Sequence, residues 1–177
     1  VCSSDLPEPS VTPAAEGEET PDTSAVVQIT IPQLDVNTVV KYVPYDGLTW
    51  LIAGLQNEIA WLGDTSWPGL GGNTALAGHV TLRNGAVGPF YELDRLEPNA
   101  EIILYTEQKM YTYRVVEKRQ VEDTDLSTIA PSDKPSITLI TCSDWNNETK
   151  FYQKRYIVSA ELVDTRLRPN QQANSVP

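Results

Sequence analysis

The sequence predicts a mainly β domain, a closed barrel or a sandwich, and three observations carry that prediction. Short runs of β-branched and aromatic residues alternate with polar ones at period two, the signature of half-buried strands. Turn residues close most of these runs. The chain has 177 residues, 40% of them apolar, enough for one ordinary core.

The elements follow in order. VVQITIPQL (26 to 34) and NTVVKYVPY (37 to 45) are β-rich runs interrupted by proline near their ends. In GLTWLIAGLQNEIAWL, the residues Trp50, Leu51, Leu55, Ile59 and Leu62 fall at helix-like spacing, so one short helix is expected there. WPGLGGN is a turn, TALAGHV (74 to 80) is another β run, and GPFYELDRL (88 to 96) suggests a second short turn or helix. AEIILYT (100 to 106) and MYTYRVVEKRQV (110 to 121), separated by a short polar stretch, read as a hairpin. SITLITC (136 to 142) and RYIVSAELV (155 to 163) complete at least six strands.

Three segments result. Residues 1 to 24, rich in Pro, Glu, Ser and Thr, read as a disordered acidic spacer, residues 25 to 165 as the folded domain, and 166 to 177 as a flexible tail. The net charge of -11 is concentrated at the start: the first 25 residues hold six acids and no Lys or Arg, leaving the remainder at about -5. That balance disfavours nucleic acid as a partner, which asks for a basic face. One His and two Cys are too few for a Cys/His zinc cluster or a disulfide scaffold. A Cys2–Cys142 bridge is disfavoured, because Cys2 lies in a segment with no means of ordering itself. The opening VCSSDL looks like a translated sequencing adapter, so the native start, with a membrane anchor, is expected elsewhere.

Three residues could do chemistry. Alone, His79 reads as a satisfied loop histidine, Cys142 as a small buried residue at a strand end, and Arg155 as a surface cation. Together they are more specific. A thiolate is a nucleophile, imidazole is its natural proton partner, and a guanidinium suits a developing oxyanion.

The same residues resemble the sortases, the cysteine transpeptidases of bacterial cell surfaces. ALAGHV around His79, TLITC at 138 to 142 and KRY at 154 to 156 carry the resemblance, with the His 63 residues before the Cys and the Arg 13 after it. SWPGLGGNTALAGH and GPFYELDRL extend it, so that it covers about Val26 to Val163. The resemblance implies a closed eight-stranded barrel with one or two short helices. It makes Cys142 the nucleophile that attacks the Thr carbonyl of a Thr-Gly sorting motif in a secreted protein. His79 becomes the acid and base, and Arg155 the group that binds the oxyanion or substrate backbone. Thr141, Ala77 and Trp145 are the implied substrate-binding residues; whether Trp145 walls the groove or merely packs the SDWNNET loop stays open. The acceptor would be an amine of a peptidoglycan precursor or a pilin lysine, and the location the outer face of the bacterial membrane. The subclass, A-like or D/E-like, stays open. No cofactor is expected; calcium activation stays open, since Asp123, Asp125 and Glu148 could belong to a site or simply be solvated. Two other readings stand beside the transpeptidase: a hydrolase in which water resolves the thioacyl, and a non-catalytic binding barrel.

With ordinary pKa values near 8.5 for Cys and 6.5 for His, only about 1% of molecules would hold a thiolate beside an imidazolium at about pH 7.5 if the sites titrate independently. A neutral resting pair is therefore expected unless Arg155 lowers the thiol pKa. The rate should follow a bell-shaped pH profile.

Overall fold

The computed structural model describes residues 21 to 169. Its strands are β1 (Val26–Ile31), β2 (Val36–Val43), β3 (Ile59–Leu62), β4 (Asn73–Ala77), β5 (Glu101–Thr106), β6 (Lys109–Glu122), β7 (Ser136–Asn146) and β8 (Phe151–Leu167). They close into a barrel in the order β1-β2-β3-β4-β7-β8-β6-β5. Of the two architectures the sequence left open, the closed barrel is the one formed. Closure removes the unpaired strand edges that an open sheet would expose. Most neighbours pair antiparallel, but β2 with β3 and β4 with β7 run parallel, each after a long connection.

The helix expected across Trp50 to Leu62 does not form. Ile52–Gly54 makes one 3-10 turn, and Ile59–Leu62 is a strand. The reason lies in burial on both faces. Ile59 and Trp61 enter the main core while Ala60 and Leu62 enter a second cluster, so the strand shows no polar alternation. Its apolar residues then matched a helical template by coincidence of spacing. The second expected turn is present as the 3-10 turn Leu93–Arg95.

The main core draws on all eight strands, with Ile29, Val40, Trp61, Leu76, Leu104, Tyr113, Leu139 and Val158 among its members. Each large aliphatic or aromatic side chain so buried contributes about 1.5–3 kcal/mol. The second cluster joins Val43, Ala60, Leu62, Ala75 and Ala77, with Trp50, Ile52, Leu55, Ile129 and Ile140 packed against it. Along β7, Ile137 and Leu139 go to one cluster and Ile140 to the other. The period of two thus assigns one cluster to the barrel interior and the other to the outer face of β3, β4 and β7.

Two polar anchors fix the ends. Asp22 is 4% exposed and accepts from Thr106 Oγ1 at 2.6 Å, Tyr111 OH at 2.9 Å and Ser24 N at 2.9 Å, besides the Ser24 hydroxyl. The chain is therefore tied to β5 and β6 from Asp22 onward; residues 1 to 20 of the expected spacer, with Cys2, lie outside the described residues. At the other end β8 continues to Leu167, and Arg168 Nη1 donates to the Thr106 carbonyl at 3.0 Å; residues 170 to 177 of the expected tail lie outside the described residues. Among the described residues no helix is long and apolar enough to cross a membrane.

Candidate active site

The site is built where β4, β7 and β8 lie side by side. In the parallel β4–β7 ladder Ala77 pairs with Ile140, and Gly78 N donates to the Ile140 carbonyl at 3.0 Å. His79 follows directly on that bond, two residues past the end of β4, where the chain still runs beside β7. In the antiparallel β7–β8 ladder Cys142 pairs with Arg155 directly. Strand order alone therefore brings together three residues separated by up to 76 positions in the chain.

Cys142 is a free, half-buried thiol. Burial pushes its pKa up from the ordinary thiol value, and the neighbouring Arg155 charge pulls it down without overcoming burial. The resting thiol is accordingly neutral. Arg155 is itself half-buried, and its Nη1 donates to the Lys154 carbonyl at 3.0 Å.

His79 is held from both sides. Its Nε2 lies 3.1 Å from the Ile52 carbonyl. A carbonyl only accepts, so Nε2 carries the proton and Nδ1 is the open acceptor of the neutral ring. The Ile52 carbonyl thus does for His79 what the third member of a catalytic triad does, fixing tautomer and orientation. The backbone is clasped by the segment that follows: Phe90 N donates to the His79 carbonyl at 3.1 Å, and Gly88 N to the Val80 carbonyl at 2.7 Å. The fully buried Phe90 ring sits on Gly78, where an added Cβ would lie 2.6 Å from Phe90 Cδ2. Glycine is required there by close approach.

Thr141 is 5% exposed, and its hydroxyl donates to the Gly78 carbonyl at 2.8 Å. This side chain spans from the residue before the thiol to the residue before the imidazole, stapling β7 to the segment that follows β4. Its proton is committed to that carbonyl. Ala77 is 6% exposed and lies in the outer cluster, against which Ile52, Leu55 and Ile140 also pack.

Cys142 does not end its strand, contrary to the sequence reading. β7 runs on to Asn146 and β8 begins at Phe151, so the first four residues of SDWNNET are strand and residues 147 to 150 turn. The polar composition that suggested a loop is that of a hairpin projecting from the barrel. Trp145, 47% exposed, rests edge-on against Tyr152 with ring centroids 4.9 Å apart, and its Nε1 donates to Asn147 Oδ1 at 3.1 Å. Tyr152 OH in turn lies 3.3 Å from Thr81 Oγ1, so the hairpin leans on the chain just after His79.

Beside the thiol opens a cavity of about 400 Å³ whose lining includes Cys142, Thr141, Tyr91, Asp94, Tyr152 and Tyr156. Thr141 and Cys142 are the candidate site residues that reach it. Sequence reasoning missed Ile52 and Phe90. Phe90 had a signal in the GPFYELDRL segment, but the Ile52 carbonyl, a backbone group 27 residues from His79, had none. Among the described residues no group of three His, Cys, Asp or Glu side chains could hold a metal ion. Asp125 instead caps the 3-10 turn Leu126–Ile129, accepting from Ser127 N at 3.0 Å.

Comparison with known proteins bears on this arrangement. Residues 29–163 match the family model described as the sortase domain. Sortase A of Bacillus anthracis is 33% identical over 97 residues, 55% of this chain and 43% of that protein, so the alignment spans under half of that relative's length. The crystal structure of Listeria monocytogenes sortase A superposes with a TM-score of 0.66 at 26% identity, covering 85% of this chain and 95% of that one. A Clostridium perfringens sortase D5 transpeptidase gives 0.62 at 26% identity, covering 78% and 79%. With a closed eight-stranded barrel that pairs Cys142 with Arg155 and the family model spanning both of them and His79, the chain belongs to the sortase family.

Proposed function

We propose that the protein is a cysteine transpeptidase that cuts a Thr-Gly type sorting motif near the C-terminus of secreted proteins and passes the acyl group to an amine. One observation supports the reading: Cys142 pairs with Arg155 across β7 and β8 and lines a cavity, while His79 follows the Gly78 that β7 holds through Ile140 and Thr141. The similarity to a solved transpeptidase supports it.

The chemistry uses protein side chains alone. Cys142 is neutral at rest, so its proton moves to His79 Nδ1 as the sulfur attacks the Thr carbonyl carbon. The Arg155 guanidinium, one strand over, stabilises the oxygen that becomes negative. The imidazolium then protonates the departing Gly amine, leaving a thioacyl enzyme. An incoming amine reverses the sequence: His79 accepts its proton, the C–S bond breaks, and the thiol is restored. A peptidoglycan precursor or a pilin lysine is the proposed acceptor, and the outer face of the bacterial membrane the proposed location. Thr141 holds β7 to the segment after β4 for this chemistry.

A peptide-library digestion with triglycine amide present tests the reading and defines the motif together. The expected product is an amide adduct that joins the cleaved acyl fragment to the added amine. Hydrolysed product alone would favour the hydrolase reading, and no cleavage of any sequence would leave a binding barrel.

A further inference from the structure

We infer that Trp50 is a positioning residue for His79, its indole N–H fixing the strap that delivers the Ile52 carbonyl to the imidazole. What His79 does in turnover rests on the transpeptidase reading; how its ring is held does not.

The strap belongs to the connection between β2 and β3, residues 44 to 58. Its first half is a closed turn. Asp46 accepts from Leu48 N and Thr49 N at 2.8 Å each, and its own N–H donates to the Thr49 carbonyl at 3.1 Å, which brings Tyr45 into a backbone bridge with Trp50. The two rings pack with centroids 4.7 Å apart. Leu48 and Leu51 stay exposed, at 90% and 71%, so the turn gains no hold on the barrel through them. Trp50 supplies that hold. It packs against the outer cluster, and its Nε1 donates to the Gly63 carbonyl at 2.9 Å, just past the end of β3. Gly63 is itself fixed: its N–H donates to the Val43 carbonyl at 2.8 Å, and an added Cβ would lie 2.7 Å from the Tyr42 hydroxyl.

From Trp50 the path to the site is short. The Trp50 carbonyl accepts from Ile52 N at 2.9 Å, and the Ile52 carbonyl accepts from Leu55 N at 3.0 Å as the 3-10 turn Ile52–Gly54 closes. The second lone pair of that carbonyl takes the His79 Nε2 proton at 3.1 Å. Two residues of chain span at most about 7 Å, so a displaced Trp50 carries Ile52 with it. Among the described residues, the Trp50 and Ile52 bonds are the only hydrogen bonds that tie residues 50–55 to the barrel. Apolar contact holds the strap down but has no direction, so it does not aim the carbonyl. With Nε2 protonated and held, Nδ1 is left to take the Cys142 proton; a ring that turns or changes tautomer presents an N–H there instead. Trp50 therefore acts on turnover and not on peptide binding.

His79 is the only histidine in the chain, so its ring nitrogens give one unobscured pair of signals. The test is long-range proton–nitrogen NMR of the isotope-labelled full chain at about pH 8, where imidazole is mostly neutral, read beside kcat and KM for the sorting-motif peptide. Wild type should show one protonated and one bare nitrogen, far apart in shift. In Trp50→Phe, which keeps an aromatic ring and loses the donor, the two should move toward each other. There kcat should fall about two- to tenfold, the worth of one hydrogen bond, with KM unchanged. Asp22→Asn weakens the fold beside Tyr111, at the opposite end of β6 from the Val121–Arg155 pair, and should leave both nitrogens in place. Unchanged nitrogen shifts in Trp50→Phe overturn the inference, and so does the same convergence in Asp22→Asn, which reports general loosening. A raised KM at constant kcat also overturns it, making the strap a wall for the peptide. Convergence confined to Trp50→Phe in a protein that cleaves no peptide upholds the hold on His79 and overturns the transpeptidase reading.

Discussion

Replacing Thr141 by valine probes the staple between β7 and the segment that carries His79. The change is nearly isosteric, so packing is kept while the donor to the Gly78 carbonyl, 2.8 Å away, is lost. That carbonyl then sits with a buried acceptor unfilled, because the hydroxyl that serves it is only part of a residue 5% exposed. Leaving such a group unpaired costs about 1–3 kcal/mol. For a body of this size each kcal/mol lowers Tm by about 2–4 °C, so thermal unfolding should shift down by roughly 2–12 °C. The same bond sets His79 relative to Cys142, and a misplacement of about 1 Å at such a site can cost on the order of a hundredfold. Thr141→Val should therefore lose both Tm and kcat/KM for sorting-motif cleavage, whereas Thr141→Ser, which keeps the hydroxyl, should retain most of each. Differential scanning fluorimetry and a fluorogenic peptide assay read the two quantities. If Thr141→Val matches wild type in both, the staple does not position the site.

The remaining predictions concern the neighbours of the thiol and the chain's first anchor. Gly78→Ala places a Cβ 2.6 Å from the buried Phe90 ring, and overpacking of this kind costs about 1–3 kcal/mol, so activity should fall with Tm and partly recover when Phe90 is also cut to leucine. Removing the Arg155 charge leaves burial unopposed at Cys142, so Arg155→Ala should move the pH midpoint of iodoacetamide labelling upward and Arg155→Lys should restore most of it. Asp22 has a lowered pKa: burial alone would raise it, but its bonds from Ser24, Thr106 and Tyr111 outweigh that. A depressed carboxylate stabilises the fold above its unfolded pKa and loses that contribution as pH falls through the folded value. Asp22→Asn should thus be less stable than wild type near neutrality, and the gap in urea midpoint should close at pH values below the ordinary carboxylate range.

Much of the fold was legible because most strands carry one polar face. Glu101–Thr106 keeps that alternation, and its hairpin with the next strand could be read from the short polar stretch between them. Ile59–Leu62 could not be read, since four consecutive residues are buried and period two vanishes when both faces are covered. The extent of β7 was hidden for the opposite reason: Ser143, Asp144 and Asn146 are polar because that hairpin projects into solvent, and the composition mimics a loop. At the site, Cys142, His79 and Arg155 were found through side-chain chemistry and spacing. The Ile52 carbonyl was out of reach because a backbone group bears no residue-type signal. Tyr91, Asp94 and Tyr156 gave none either, since only closure of the barrel brings β8 and the segment after β4 around one cavity.

The central claim is that Cys142 is an acylated nucleophile served by His79. Intact mass spectrometry of the protein, quenched in acid soon after mixing with a cleaved sorting-motif peptide, tests it most directly. The account predicts an added mass equal to the acyl fragment up to Thr, mapped to the peptide containing Cys142 and discharged by triglycine amide. It also predicts no such species in Cys142→Ala and a strongly reduced amount in His79→Ala. Cleavage that persists in Cys142→Ala, or an acyl group mapped to any other residue, would contradict it.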